Sequence, residues 1–304
     1  MITVALRAII GREPWLRPGG APGTYVCRVP ELAPRLASEP WIASAEVSNG
    51  FLTVTVTHDA LAKIATEITQ LGGPCAESDL LRGHVIKAST SDWMLAGDWE
   101  QARAALAVEL TGRLAAAAGA TVTGTGTTGR SAISGGEAGA TEIAAGAGWA
   151  GRDAMRFAVA RMVPGGPAPD PAVIARHLLG NPAYAVRYAH AVAAAVLRWA
   201  GTPPGDPRPR QLTGPGEMAV PTIELLSALS WLPERVAVAA RRGRPDEFAR
   251  YLEGLASRTI GMMSISSHSN PEHLWLAAAA RTGLGAGLAL LGIAAPERLL
   301  VRGH

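Results

Sequence analysis

Cysteine is almost absent from this 304-residue chain: Cys27 and Cys75 stand alone, with no Cys-x-x-Cys spacing. That excludes a disulfide framework and a thiolate zinc site, and it suits a reducing cytoplasm. Lysine is as scarce, with Lys63 and Lys87 the only two, so nearly all positive charge is arginine. Arginine favours planar, bidentate contact with phosphate, although a GC-rich coding sequence leaves the same bias. The net charge of only +3, with a pI near 9.2, permits a nucleic-acid partner without requiring one. No run of 18 apolar residues occurs, so no membrane span is expected. The opening Met1–Ile10 stretch lacks a basic leader and a full apolar core and does not read as a signal peptide. Acidic residues near two tryptophans (Asp92, Asp98, Glu100) have no catalytic spacing and read as helix caps and solvated charge. His58 has no second ligand at metal spacing and reads as a surface residue at a strand end. No catalytic residue, cofactor or metal is therefore expected.

What is present divides the chain into three stretches. Residues 1–75 read as a small α/β domain. Val29–Leu36 opens a short helix, and Asn49-Gly50 turns into Phe51–Thr57, whose alternation of apolar and Thr is that of a half-buried strand. A helix follows from Ala60 to Leu71 with Asp59 as its N-cap, ended by Gly72-Gly73-Pro74. Residues 76–148 hold one amphipathic helix, Trp99 to Ala118, then a possible short strand at Ala120–Thr123 and a Gly/Ala/Thr/Ser tract. Within that tract Gly124-Thr-Gly-Thr-Thr-Gly-Arg130-Ser131 imitates a phosphate loop. Arg occupies the Lys position and too many glycines follow for a helix, so the tract reads as a linker.

From Trp149 the chain reads all-α. Prolines at starts and glycines at ends mark helices opening at Gly151, Asp170-Pro171 and Asn181-Pro182, then near Pro221–Leu232, Pro233–Arg242, Pro245–Ser264 and Glu272–Leu291. A loop over Gly201–Gly216 carries Arg208 and Arg210. The expected product is a bundle of five to six helices, giving an α+β chain overall. The Asn181 helix is the most informative. Val186, Ala189, Ala193, Val196 and Ala200 form its packed stripe, and Tyr184 and Tyr188 sit one turn apart on another face. Arg187 and Arg198, eleven residues apart, point nearly the same way at about 100° per residue. Rings that stack on splayed bases and guanidinium groups that meet phosphate suit RNA. The candidate contacts are Asn181, Tyr184, Arg187, Tyr188, His190 and Arg198. Buried Tyr and surface Arg on an ordinary core helix would give the same pattern.

At this point three motifs in order carry a resemblance. Asn181–Val192 resembles the Asn-Pro-x-Tyr-Tyr-Val-Gln-Tyr-Ala-His-Ala-Arg of arginyl-tRNA synthetases. Gly151–Phe157 resembles their Gly-Ala-Asp-Ala-x-Arg-Phe. Gly287–Leu299 resembles their terminal Gly-Leu-x-Leu-Leu-Gly-Val-Ser-Ala-Pro-Glu-Arg-Met. The resemblance implies that residues 149–304 form the helical anticodon-binding (DALR) domain of that family. More weakly, through Val47–Val54, it implies that residues 1–75 form its N-terminal domain, which helps grip the tRNA elbow.

Departures from the family pattern shape the expected function. Residues 76–148 stand where such a synthetase has its Rossmann catalytic core, with Leu106–Thr123 a relic of that core's first helix and second strand. The His-x-Gly-His signature is missing, Gly83-His84 being a fragment. The Lys-Met-Ser-Lys loop is missing too, Met262-Met263-Ser264 imitating it without lysine and out of order. Without them no electrostatic apparatus for adenylation is present. Ala185 replaces a family Tyr, Val192 a family Arg, and Thr259–Ser264 a segment with three rings, which weakens stacking. The resemblance thus implies a non-catalytic tRNA-binding relative of a synthetase, working in translation in the cytoplasm, with tRNA and a possible protein partner. Two alternatives are an arginine–tRNA ligase, or a component of one that needs a partner, and a protein-interaction module without RNA binding. The last would show an exposed apolar patch over the Tyr184 face.

Overall fold

The computed structural model describes residues 1–11, 15–89, 91–124, 141–201, 218–265 and 271–299. The phosphate-loop imitation, the Arg208/Arg210 loop and the end of the Met262–Ser266 segment lie outside these residues. In chain order the elements are α1 Ile2–Ile10, β1 Arg17–Pro18, β2 Thr24–Cys27, α2 Ala33–Ala37, β3 Ile42–Ser48, β4 Phe51–Val56 and α3 His58–Leu71. Then come β5 Val85–Lys87, α4 Trp99–Ala117, β6 Thr121–Thr123, α5 Glu142–Ala150, α6 Arg152–Arg161, α7 Pro171–Ile174 and α8 Pro182–Trp199. The last are α9 Val220–Ser230, α10 Leu232–Arg242, α11 Pro245–Ile265 and α12 Pro271–Leu290. Among the described residues no helix is long and apolar enough to cross a membrane.

Two compact units emerge, neither continuous in sequence. The first comprises Met1–Cys75, Val192–Pro233 and Arg258–Gly283. Its sheet is antiparallel with order β1-β2-β4-β3. Asn49 (φ 51°) and Gly50 (φ 77°) make the two-residue β3–β4 turn, the Asn-Gly geometry whose twist matches flanking strands. Leu52, Val54 and Val56 of β4 and Tyr25 and Cys27 of β2 alternate inward onto Leu61, Ile64 and Ile68 of α3. Thr57, not Asp59, caps α3, its hydroxyl accepting from Ala60 N at 3.2 Å; Asp59 sits in the first turn with its charge toward the helix N-terminus. Helix α3 packs on α9. There Tyr25 Oη lies 2.6 Å from Ser230 Oγ, Thr3 Oγ1 donates to the Ser230 carbonyl (2.9 Å), and the Tyr25 and Trp231 rings stack at 5.2 Å.

The second unit comprises Ala76–Ala191, Glu234–Ser257 and Leu284–His304. Strands β5 and β6 pair in parallel, with α4 as the connection between them, a βαβ unit. Asp98 caps α4, accepting from Gln101 N at 2.7 Å. Gly112 of α4 lies against Ala88, where an added Cβ would stand 2.5 Å from the Ala88 Cβ, so the helix meets the strand end only without a side chain there. Helix α6 packs against α4, α5 and α7. Every residue from Ala154 to Ala160 is buried, Arg156 included.

Candidate nucleic-acid interface

Three side chains of the second unit are tied to one stretch of backbone, residues 291–296. Arg156 Nε donates to the Leu291 carbonyl at 2.6 Å while its Nη2 pairs with Glu109 Oε1 at 2.6 Å. Asp153 Oδ2 accepts from Ala294 N (3.1 Å). His190 Nδ1, in α8, donates to the Pro296 carbonyl (2.9 Å). Asn181 does the same work for the loop before α8. Its Nδ2 donates to the carbonyls of Ile174 and Arg176, both at 2.8 Å, and its Oδ1 accepts from Ala183 N at 3.1 Å. Asn181 and His190 are buried and committed to these bonds, so both shape the site from within.

These bonds frame a cavity of about 230 Å³, lined among others by His177, Asn181, Tyr184, Arg187, Arg298 and Leu299. One wall is an aromatic ladder. His177 stacks on Tyr184 at 5.3 Å and 16°, and Tyr184 on Tyr188 at 5.5 Å and 23°. Burial, and then the neighbouring Tyr188, push the Tyr184 phenol above its usual pKa, so it stays a neutral donor at physiological pH. The Arg187 Nε is buried without a hydrogen-bond partner. A buried, unpaired guanidinium N–H is costly, and a ligand acceptor entering the cavity would relieve it. Planar rings beside a guanidinium suit an unstacked base and its phosphate.

Several exposed apolar side chains neighbour the lining residues in sequence. Trp149 (64 % exposed) precedes the lining Ala150, Leu178 (59 %) and Leu179 (54 %) follow His177, and Val173 precedes Ile174. Arg198 does not line it. That residue is half-buried within the Val192–Pro233 segment of the other unit. His177, Arg298 and Trp149 escaped the reading of the helix because they lie outside α8; the ring of His177 four residues before Asn181 was the available signal.

The first unit carries a separate cluster on the outer face of its sheet. Trp15 and Phe51 lie 5.5 Å apart, Arg17 sits over the Trp15 ring at 3.9 Å, and Arg28 lies 5.0 Å from Trp15 and 5.3 Å from Phe51. Neither arginine has a carboxylate in ion-pair range among the described residues. In register along the same face are Thr24 opposite Thr55 and Val26 opposite Thr53, all half-buried.

Residues 186–299, from within α8 through α12, match the DALR anticodon binding domain family. The chain is similar to arginine–tRNA ligases over about half its length. It is 34 % identical over 163 residues to that of Paenarthrobacter aurescens and 34 % identical over 174 residues to that of Micrococcus luteus. These stretches cover 50 % of this chain and 29 % and 30 % of the two ligases, so the chain spans under a third of their length. A solved Thermus thermophilus arginyl-tRNA synthetase aligns with 98 % of this chain and 58 % of its own, at 18 % identity and a TM-score of 0.41.

Proposed function

We propose that this chain is a non-catalytic tRNA-binding relative of arginyl-tRNA synthetases, which takes an anticodon-loop nucleotide into the Tyr184–Arg187 cavity. The observation that carries this reading is the unpaired Arg187 Nε, at the start of the 186–299 match to the DALR domain, beside the His177–Tyr184–Tyr188 ladder. The functional division we assign is 1–75 as an elbow-gripping domain, 76–148 in place of a catalytic core, and 149–304 as the anticodon-binding domain. In this division the Trp15/Phe51 platform with Arg17 and Arg28 meets the tRNA elbow. The single βαβ unit between residues 85 and 123, without the His-x-Gly-His and Lys-Met-Ser-Lys signatures, supports a role without adenylation. The working compartment we assign is the cytoplasm.

Electrophoretic shift with total tRNA at low and high salt tests the proposal. We expect a salt-sensitive complex, abolished by Arg187→Glu combined with Tyr188→Ala, and no ATP–pyrophosphate exchange. Exchange by the isolated protein would favour a ligase or a ligase component. A second reading has its own support: Trp149, Val173, Leu178 and Leu179 are exposed apolar side chains, each next in sequence or nearly so to a residue lining the cavity, as a protein-docking face would need. Absence of any salt-sensitive RNA complex would overturn the first reading and leave this one.

A further inference from the structure

We propose that the second unit holds a phosphate-binding site apart from the Tyr184 cavity, in the cleft where Ser91–Trp93 faces the first turn of α6. The cleft, of about 430 Å³, is also lined by Arg113, Arg152 and Gly292. Its carboxylates are already engaged. Glu109 is held by Arg156 at 2.6 Å, Asp92 Oδ1 accepts from Met94 N at 3.1 Å, and Asp153 Oδ2 accepts from Ala294 N. Its donors are not. Arg152 is exposed and has no carboxylate in ion-pair range among the described residues. Arg113 gives one Nη to the Ala289 carbonyl (2.8 Å), while the other stands 3.7 Å from a Glu109 that Arg156 has already claimed.

Two further features point to an anion. Trp93 is 1 % exposed, and its indole Nε1–H has no acceptor, an expensive state for a buried donor unless a ligand supplies one. Helix α6, ten residues long, starts on Gly151 with no side chain capping its first amides. These N–H groups and the positive end of the helix dipole favour a bound oxyanion. Gly292 (φ +69°) keeps room for the guanidinium groups: a Cβ there would stand 2.7 Å from Arg113 Nη1 and 2.9 Å from Arg156 Nη2. The lining donors come from three separate elements, the Ser91–Trp93 loop, α4 and α6.

This site stands independently of the anticodon reading, and inorganic phosphate is the probe. Isothermal titration at ionic strength matched with chloride is expected to show saturable phosphate binding. Arg152→Ala should weaken it about tenfold, and Trp93→Phe, which keeps an aromatic ring in a smaller side chain and removes the N–H, about threefold to tenfold. Arg152→Lys should recover part of the loss, whereas a merely structural Arg152 would show none of this. No phosphate binding beyond the chloride control, or equal binding by Arg152→Ala, overturns the proposal. The salt dependence of tRNA binding then identifies the source. A slope lowered by about one in Arg152→Ala assigns the phosphate to the RNA backbone, and an unchanged slope with weakened phosphate binding assigns it to a free phosphate compound.

Discussion

Arg156 shows how one side chain can look like a recognition residue and act as a fastener. It lies in a wholly buried run of α6, yet its charge is met by Glu109 and its Nε by the Leu291 carbonyl. Replacing it with Met would leave Glu109 half-buried with only the longer 3.7 Å ion pair to Arg113, and the carbonyl without its donor. We expect Arg156→Met to cost about 3 kcal/mol in urea unfolding, and Arg156→Met with Glu109→Gln to cost less than the two single changes summed. Asp246 offers a second test at this scale. Burial opposes its ionisation, but hydrogen bonds and charge from Arg244 and Arg250 outweigh burial and hold its carboxyl below the usual range. The folded pKa is therefore below the unfolded value of about 3.9, so the pairing stabilises at higher pH and is lost as pH falls through the depressed value. Thermal unfolding should show Asp246→Asn less stable than wild type at pH 7, with the gap closing as pH falls below about 4.

At the scale of elements, most of the C-terminal fold was legible because proline and glycine punctuate it. The readings near Pro221, Pro233, Pro245 and Glu272 fall within one or two residues of the starts of α9 to α12. What local pattern could not show was partnership. Strands β5 and β6 are three residues each and largely exposed, so neither carries the apolar run of a buried parallel strand, and only their pairing makes them a sheet. Helix α5 went unread because Glu142–Ala150 holds two glycines and looks like more of the linker. The α3 cap was misplaced by two residues because Thr57 and Asp59 are both good caps, and only the extended backbone at Thr57 decides between them. Thr57→Ala should cost about 1 kcal/mol and Asp59→Ala a few tenths, measured by chemical denaturation. The Tyr184 face was legible from its ring spacing, but Arg198 was not separable from it, since a helical wheel carries no information about which packed unit a turn joins.

At the scale of the whole molecule a net charge of +3 gives little general attraction to RNA, so affinity has to come from local clusters. The two surfaces assigned to tRNA offer four arginines, Arg187, Arg298, Arg17 and Arg28. If all four meet phosphates, the logarithm of the binding constant should fall with the logarithm of salt at a slope of roughly −3 to −4. A slope near −1 would restrict contact to one cluster. Charge reversal at Arg17 and Arg28 together should lower the slope by about two and leave α8 untouched.

The docking of Tyr25 against Ser230 has a consequence for how the chain comes into being. The two residues are 205 positions apart, yet they close one compact unit. At a synthesis rate of about 5–20 residues per second, the emerging β-sheet waits roughly 10–40 s for α9 to leave the ribosome. Through that interval the side of α3 that α9 will cover stays open, and the nascent chain is a natural client for a chaperone that shields apolar surface until translation catches up.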